Sequence, residues 1–128
     1  PAAAGPQDDG LLTTGEIAQL ELDADFVILS ACNTAAGGAA NTEGLSGLAS
    51  AFFYAGARSL LVSHWPVYSD AAVALTTRML GELETEPSLR HAEALRRAML
   101  AALDDPDAPL RQRHPAYWAP FMIVGEGT

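Results

Sequence analysis

Sulfur and positive charge are both scarce in this chain. One cysteine, Cys32, stands among 128 residues, which excludes an internal disulfide framework and any site built from several thiolates. Seven Lys and Arg face sixteen Asp and Glu, for a net charge of −9. Phosphate binding needs clustered cations, so nucleic acid is not an expected partner. The acids are dispersed and read as a solvated surface. No uninterrupted apolar stretch approaches the roughly 20 residues of a membrane span, and no charged-then-apolar signal segment opens the chain. Membrane association is therefore not expected, and a reducing, cytoplasmic compartment is. No grouping of His, Cys and carboxylates has zinc spacing, so neither a metal nor another cofactor is expected.

Apolar residues make up 49% of the chain and charged residues 18%, the balance of a globular domain that buries roughly two thirds of its unfolded surface. The opening "PAAAGPQDDG" (residues 1–10) has no hydrophobic period and reads as a flexible leader to a domain over residues 11–128. "TTGE" (Thr13–Glu16) has capping-box spacing and predicts a short helix over about Thr14–Leu20. "FVILSA" (Phe26–Ala31) is a continuous, β-branched apolar run, as a strand covered on both faces should be. From Leu45, the set Leu45, Leu48, Ala49, Phe52 and Phe53 follows the spacing of an amphipathic helix, which Gly56 closes. "SLLVS" (Ser59–Ser63) is a second buried strand, and "HWPVYS" is the loop after it.

Ser69 can cap a third helix whose shared face carries Ala72, Leu75, Thr76, Met79, Leu80 and Leu83. "ETEPS" breaks it, and a fourth helix spans about Leu89–Leu103. The turn-rich "DDPDAP" leads to a last strand, "PFMIV" (Pro120–Val124). Strand, helix, strand, helix is the order of a parallel sheet with helices on its faces, an α/β class. Three strands form a narrow sheet, so the sequence reads as the C-terminal part of a larger α/β domain. The edge at Phe26–Ala31 would then be an open template, expected to pair with a second copy or with the leader.

In such sheets, chemistry collects beyond the carboxyl ends of the strands. Cys32 falls there after the first strand, and His64 after the second. The residues alone leave two readings of Cys32 open: an activated thiol, or a small buried hydrophobe. His64 is similarly open, as a base beside Cys32, a cleft wall or a hydrogen-bonded surface histidine. His91, near the start of the fourth helix, reads as solvated or partly packed, and His114 as structural. The serine of "GLSG" lies inside a predicted helix and is no hydrolase elbow. A flavodoxin-like ligand-binding domain is a weaker alternative, since no glycine-rich phosphate turn follows either strand.

"VILSACNTAAGG", "EGLSGLASAFFYAGARSLLVSHWPV" and "HPAYWAPFMIVG" together resemble the CHAT domain family, over about Leu11–Gly125. These are caspase- and separase-related domains of bacterial and eukaryotic proteins, often placed behind tetratricopeptide repeats. The resemblance implies a three-layer α/β/α caspase-like fold, partial here, with a mainly parallel sheet and an antiparallel last strand. It also implies a cysteine peptidase acting on a protein or peptide substrate, with Cys32 as nucleophile. The partner histidine of the family lies upstream, in the half of the domain that precedes these motifs, so the chain by itself is expected to be inactive. The expected partners are that upstream half and tetratricopeptide repeats. Asn33, Thr34, Glu43 and Gly44 would shape the loop around the cysteine, and Ser63, Trp65 and Val67 would line the first specificity pocket. Where family members commonly carry Asp, this chain has Ser69, so a pocket acid would be absent or moved to Asp70. The rival reading from the same resemblance is a catalytically degenerate domain acting as an interaction module, and the unusual "SHWPVYSD" favours it.

Overall fold

A computed structural model describes residues 12–29 and 44–126. The capping box at Thr13 forms as its spacing dictates. The Thr13 hydroxyl accepts from the Glu16 N–H at 3.3 Å, and the Glu16 carboxylate accepts from the Thr13 N–H at 2.7 Å. These bonds hold the Glu16 carboxyl below the usual carboxylate range. The helix they start, α1 (Thr14–Ile17), buries Ile17 and is shorter than its apolar pattern suggests.

Strand β1 covers Ala24–Ile28, helix α2 Gly44–Tyr54, and strand β2 Ala57–Ser63. Gly56 closes α2 with φ 100°, and its N–H donates to the Phe53 carbonyl at 3.1 Å. Beyond β2 come α3 (Ser69–Thr85), α4 (His91–Asp104), a 3₁₀ turn at Leu110–Arg113, α5 (Pro115–Trp118) and β3 (Phe121–Gly125). The strand order is β1-β2-β3, with β2 parallel to β1 and antiparallel to β3. The antiparallel last strand is thus present.

Period-two alternation along β2 sends neighbouring residues to opposite faces. Leu60 and Val62 pack with Ile17, Ala49 and Phe52 of α1 and α2. Leu61 packs with Leu75 and Met79 of α3, Ala94, Leu95 and Ala98 of α4, and Phe121. Helices therefore cover both faces of the sheet, which is a three-layer α/β/α arrangement. Among the described residues β1 and β3 are the edge strands, and Phe26, Val27, Ile28 and Leu29 are all only half-buried.

Two expectations need correction. Ser69 does not cap α3: Tyr68, in extended backbone, holds the N-cap position without a side-chain bond, and Ser69 is already helical. The adjacent carboxylate takes that role in part, since Asp70 Oδ1 accepts from the Ala71 N–H at 3.0 Å. The strand expected from Phe26 starts at Ala24 instead. Asp25 masks the pattern there, and its ion pair with Arg58 of β2, at 2.9 Å, shows why a charge is tolerated on that strand. Ser30 and Ala31 lie outside the described residues.

Candidate functional site

Parallel strands in register end on the same rim. Ala24 is opposite Ala57 and Ile28 opposite Leu61, and the Leu29 N–H donates to the Leu61 carbonyl at 2.9 Å. The rim beyond Leu29 and Ser63 is the carboxyl end of both strands, the place where α/β sheets assemble chemistry. Cys32, Asn33, Thr34 and Glu43 lie outside the described residues. Gly44 is the first residue of α2.

On the β2 side the rim is well defined. Ser63 is buried at 2% exposure. His64 is exposed, and its N–H donates to the Pro120 carbonyl at 2.9 Å, extending the β2–β3 ladder one step past the strand. After it, Trp65, Pro66, Val67 and Tyr68 form a groove closed on the far side by Ala116. Tyr68 stacks on Tyr117 with centroids 4.5 Å apart and planes 12° from parallel. Tyr117 is set by α5, where His114 acts structurally. Its Nδ1 accepts from the Ala116 N–H at 3.2 Å, and Pro115 takes the first helical position, where a missing N–H costs nothing. Asp70 is held at the start of α3, and Arg111 Nη2 stands 3.5 Å from its Oδ2. Ala116, which lines the groove, and Tyr117, which braces Tyr68, fall inside the "HPAYWAPFMIVG" motif but received no role from the sequence, because a four-residue helix and a stack across 49 residues of chain leave no periodic trace.

A second cluster sits at the opposite end of the sheet. His91 stacks on Phe26, centroids 4.3 Å apart and planes 11° from parallel. The fully buried Ser59 hydroxyl donates to the Asp25 carbonyl at 2.9 Å and lies 3.0 Å from His91 Nδ1. A carbonyl can only accept, so the Ser59 proton points to Asp25 and His91 Nδ1 must be the donor to Ser59 Oγ. This Ser–His pair therefore has no base aimed at a hydroxyl, and it fastens the first turn of α4 to β1 and β2. Ser59→Ala should cost about 1 kcal/mol, because it leaves a part-buried donor and acceptor without their partner; urea unfolding checks this.

Burial lowers the His91 pKa below 6.5, against the opposing pull of Asp25. A histidine held neutral by the fold stabilises it above 6.5, and that contribution fades as pH falls from 6.5 toward the lowered folded value. The urea midpoint should fall as the pH is taken below 6.5, and His91→Gln should remove that drop. Carboxylates with lowered pKa titrate further down. Glu93, bonded first to Arg96, sits at about 2, and Asp105 is lowered chiefly by Arg78.

Among the described residues, no group of His, Cys, Asp or Glu could hold a metal ion, and no helix is long and apolar enough to cross a membrane.

A narrow α/β/α sheet with a groove at the carboxyl rim of parallel strands defines the class of protein. The particular family follows from comparison. The family model of the CHAT domain matches residues 2–126, and the chain belongs to that family, whose fold is related to that of caspase-like peptidases. The chain is also similar to tetratricopeptide repeat protein 28 of Mus musculus, 31% identical over 124 residues, and to that of Homo sapiens, 29% identical over 120 residues. Each alignment covers 94% of this chain and 5% of the relative, so the chain spans about a twentieth of the length of these curated relatives. No solved structure matches it.

Proposed function

We infer that this chain is the nucleophile-bearing, C-terminal part of a CHAT-domain cysteine peptidase that hydrolyses peptide bonds in proteins. One observation carries the reading: β1 and β2 are parallel and in register, and Cys32 follows β1 in the sequence by only a few residues. Such a position suits a thiol delivered to the rim where the Trp65–Tyr68 groove lies. A free thiol has a pKa near 8.5 and is a weak nucleophile until an imidazole takes its proton. The base would come from an upstream segment of the same domain.

The reaction balances simply. The Cys32 sulfur attacks the scissile carbonyl carbon while its proton passes to the imidazole. The imidazolium gives that proton to the departing amine, leaving a thioester. Water, deprotonated by the same imidazole, then releases the acid and restores the thiol. Backbone N–H donors, that of Cys32 among them, would hold the oxyanion. Asn33, Thr34, Glu43 and Gly44 would form the surrounding loop, and His64 is available as a secondary base or cleft wall. The relatives' printed name, tetratricopeptide repeat protein 28, supports fusion of the domain to repeats that could regulate it; a cytoplasmic setting is part of the same proposal and rests on the single cysteine of the sequence.

The rival reading is a degenerate domain that binds partners, with the β1 edge, unpaired among the described strands, as its interface and a second copy as one candidate. The half-buried Phe26–Leu29 edge favours it. A peptide acyloxymethyl ketone applied to the intact parent protein separates the two. Selective labelling at Cys32, abolished in Cys32→Ser, supports the peptidase. Labelling no faster than that of free cysteine overturns it.

A further inference from the structure

We propose that the cleft at the amino end of the sheet, between Asp25, Arg58 and His91, binds a small, uncharged primary carboxamide carrying an apolar ring or chain. This site lies at the opposite end of β1 and β2 from the rim that Cys32 follows, and it does not depend on the peptidase reading. The cleft holds about 330 Å³, within the range of small-molecule sites, roughly 300–1,000 Å³. Asp25 and Arg58 come from the starts of β1 and β2. Leu83 comes from the end of α3, and Pro87 and Leu89 from the turn that leads to His91 at the start of α4. Leu83 and Leu89 also pack against the core beneath α3 and α4, so this apolar wall is set before a ligand arrives.

The hydrogen-bond direction at Ser59 decides which ligand groups suit the cleft. Because the Ser59 proton goes to the Asp25 carbonyl, His91 Nδ1 carries the hydrogen of the neutral imidazole, and Nε2 keeps a lone pair. Nδ1 faces Ser59 and one ring face lies on Phe26, so Nε2 is the polar atom that His91 can present to the cleft. Burial favours this neutral ring. The Asp25 carboxylate adds a second acceptor, and the Arg58 guanidinium supplies donors. These two ions pair at 2.9 Å with side chains 78% and 61% exposed, a pairing weak enough in water to open for a ligand group. Their charges cancel. A carboxylate would gain Arg58 but meet Asp25 and the Nε2 lone pair, and an ammonium would gain both acceptors but meet Arg58. A primary carboxamide satisfies both sides at once: its oxygen accepts from Arg58, and its two N–H groups donate to His91 Nε2 and Asp25. Its apolar part covers Leu83, Pro87 and Leu89.

The test titrates this chain at neutral pH with benzamide, benzoate, benzylamine and N,N-dimethylbenzamide, followed by two-dimensional NMR. Ser88 also lines the cleft, so the Ser88 and Leu89 amides and the His91 imidazole report binding there. Benzamide should shift these signals saturably and leave the Trp65 indole, at the other end of the sheet, still. Benzoate, benzylamine and the dimethyl amide, which has no N–H to donate, should each bind about tenfold more weakly or not at all. Arg58→Met should weaken benzamide about tenfold, whereas Arg111→Gln, beside Asp70 at the rim, should leave it unchanged. The urea midpoint of each variant shows that it is folded, and the order of the four compounds on the unaltered chain stands as a test whether or not a variant folds. Binding of benzoate, benzylamine or the dimethyl amide as tight as that of benzamide overturns the proposal. So do unshifted Ser88, Leu89 and His91 signals up to the solubility limit of benzamide, or full benzamide affinity in folded Arg58→Met. Cys32 takes no part in this readout, so either proposal can fail without the other.

Discussion

Leu60→Ala should lower the unfolding free energy by about 2–5 kcal/mol, a large part of the roughly 5–15 kcal/mol that holds a domain of this size. Leu60 is wholly buried in the middle of the central strand. It packs on the α1–α2 side with Ile17, Ala49, Phe52 and Val62. Several of its buried neighbours, Ala49, Ala51 and Ala57, are small. They have no side chain long enough to fill the space that Ala would leave. The cavity term is therefore expected toward the upper part of the range. Val73→Ala provides the contrast, since Val73 is 66% exposed on α3 and should change stability by about 0.5 kcal/mol or less. Urea unfolding followed by circular dichroism decides. A Leu60→Ala midpoint equal to that of Val73→Ala would mean that β2 is not the centre of the fold.

Gly125→Val should be the second large loss, about 2–4 kcal/mol, through the backbone rather than the core. Gly125 ends β3 opposite Ser59 with φ 104°, a conformation that a β-branched residue adopts only under strain. A Cβ built there would stand 2.5 Å from the Arg58 carbonyl oxygen and 2.8 Å from Phe53. The first contact is with backbone and cannot be relieved by a rotamer change. The Arg58 carbonyl also accepts from the Glu126 N–H at 2.9 Å, so displacing Gly125 breaks the final β2–β3 bonds too. Hydrogen exchange at β3, measured with the urea midpoint, checks this. Unchanged protection of the Met122–Val124 amides in Gly125→Val would refute it.

The elements legible in the sequence were those that local chemistry decides. The Thr13–Glu16 pair, the apolar run through Val27 and Ile28, the amphipathic spacing of α2 and the left-handed Gly56 each act within a few residues. Their structures follow from pattern alone. Ser69 misled because its neighbour Asp70 can take the same N-terminal N–H, and only the backbone of Tyr68 decides where α3 begins. The contacts that set the rim and the base of the sheet are non-local. Ser59 meets His91 across 32 residues, and Tyr68 meets Tyr117 across the whole α3–α4 layer. No spacing rule links such pairs. The thiol that the family likeness brings forward, Cys32, lies outside the described residues, so its role stays with the proposal and its labelling test.

The wall of the groove has an origin with practical weight. Ala116 and Tyr117 belong to the segment that runs directly into β3, and the Pro120 carbonyl holds His64 in place. Trimming the polypeptide just before Pro115 would therefore take away the groove wall and the β2–β3 ladder in one cut. Shortened fragments that stop there should leave β2 without its antiparallel neighbour even where α3 and α4 survive.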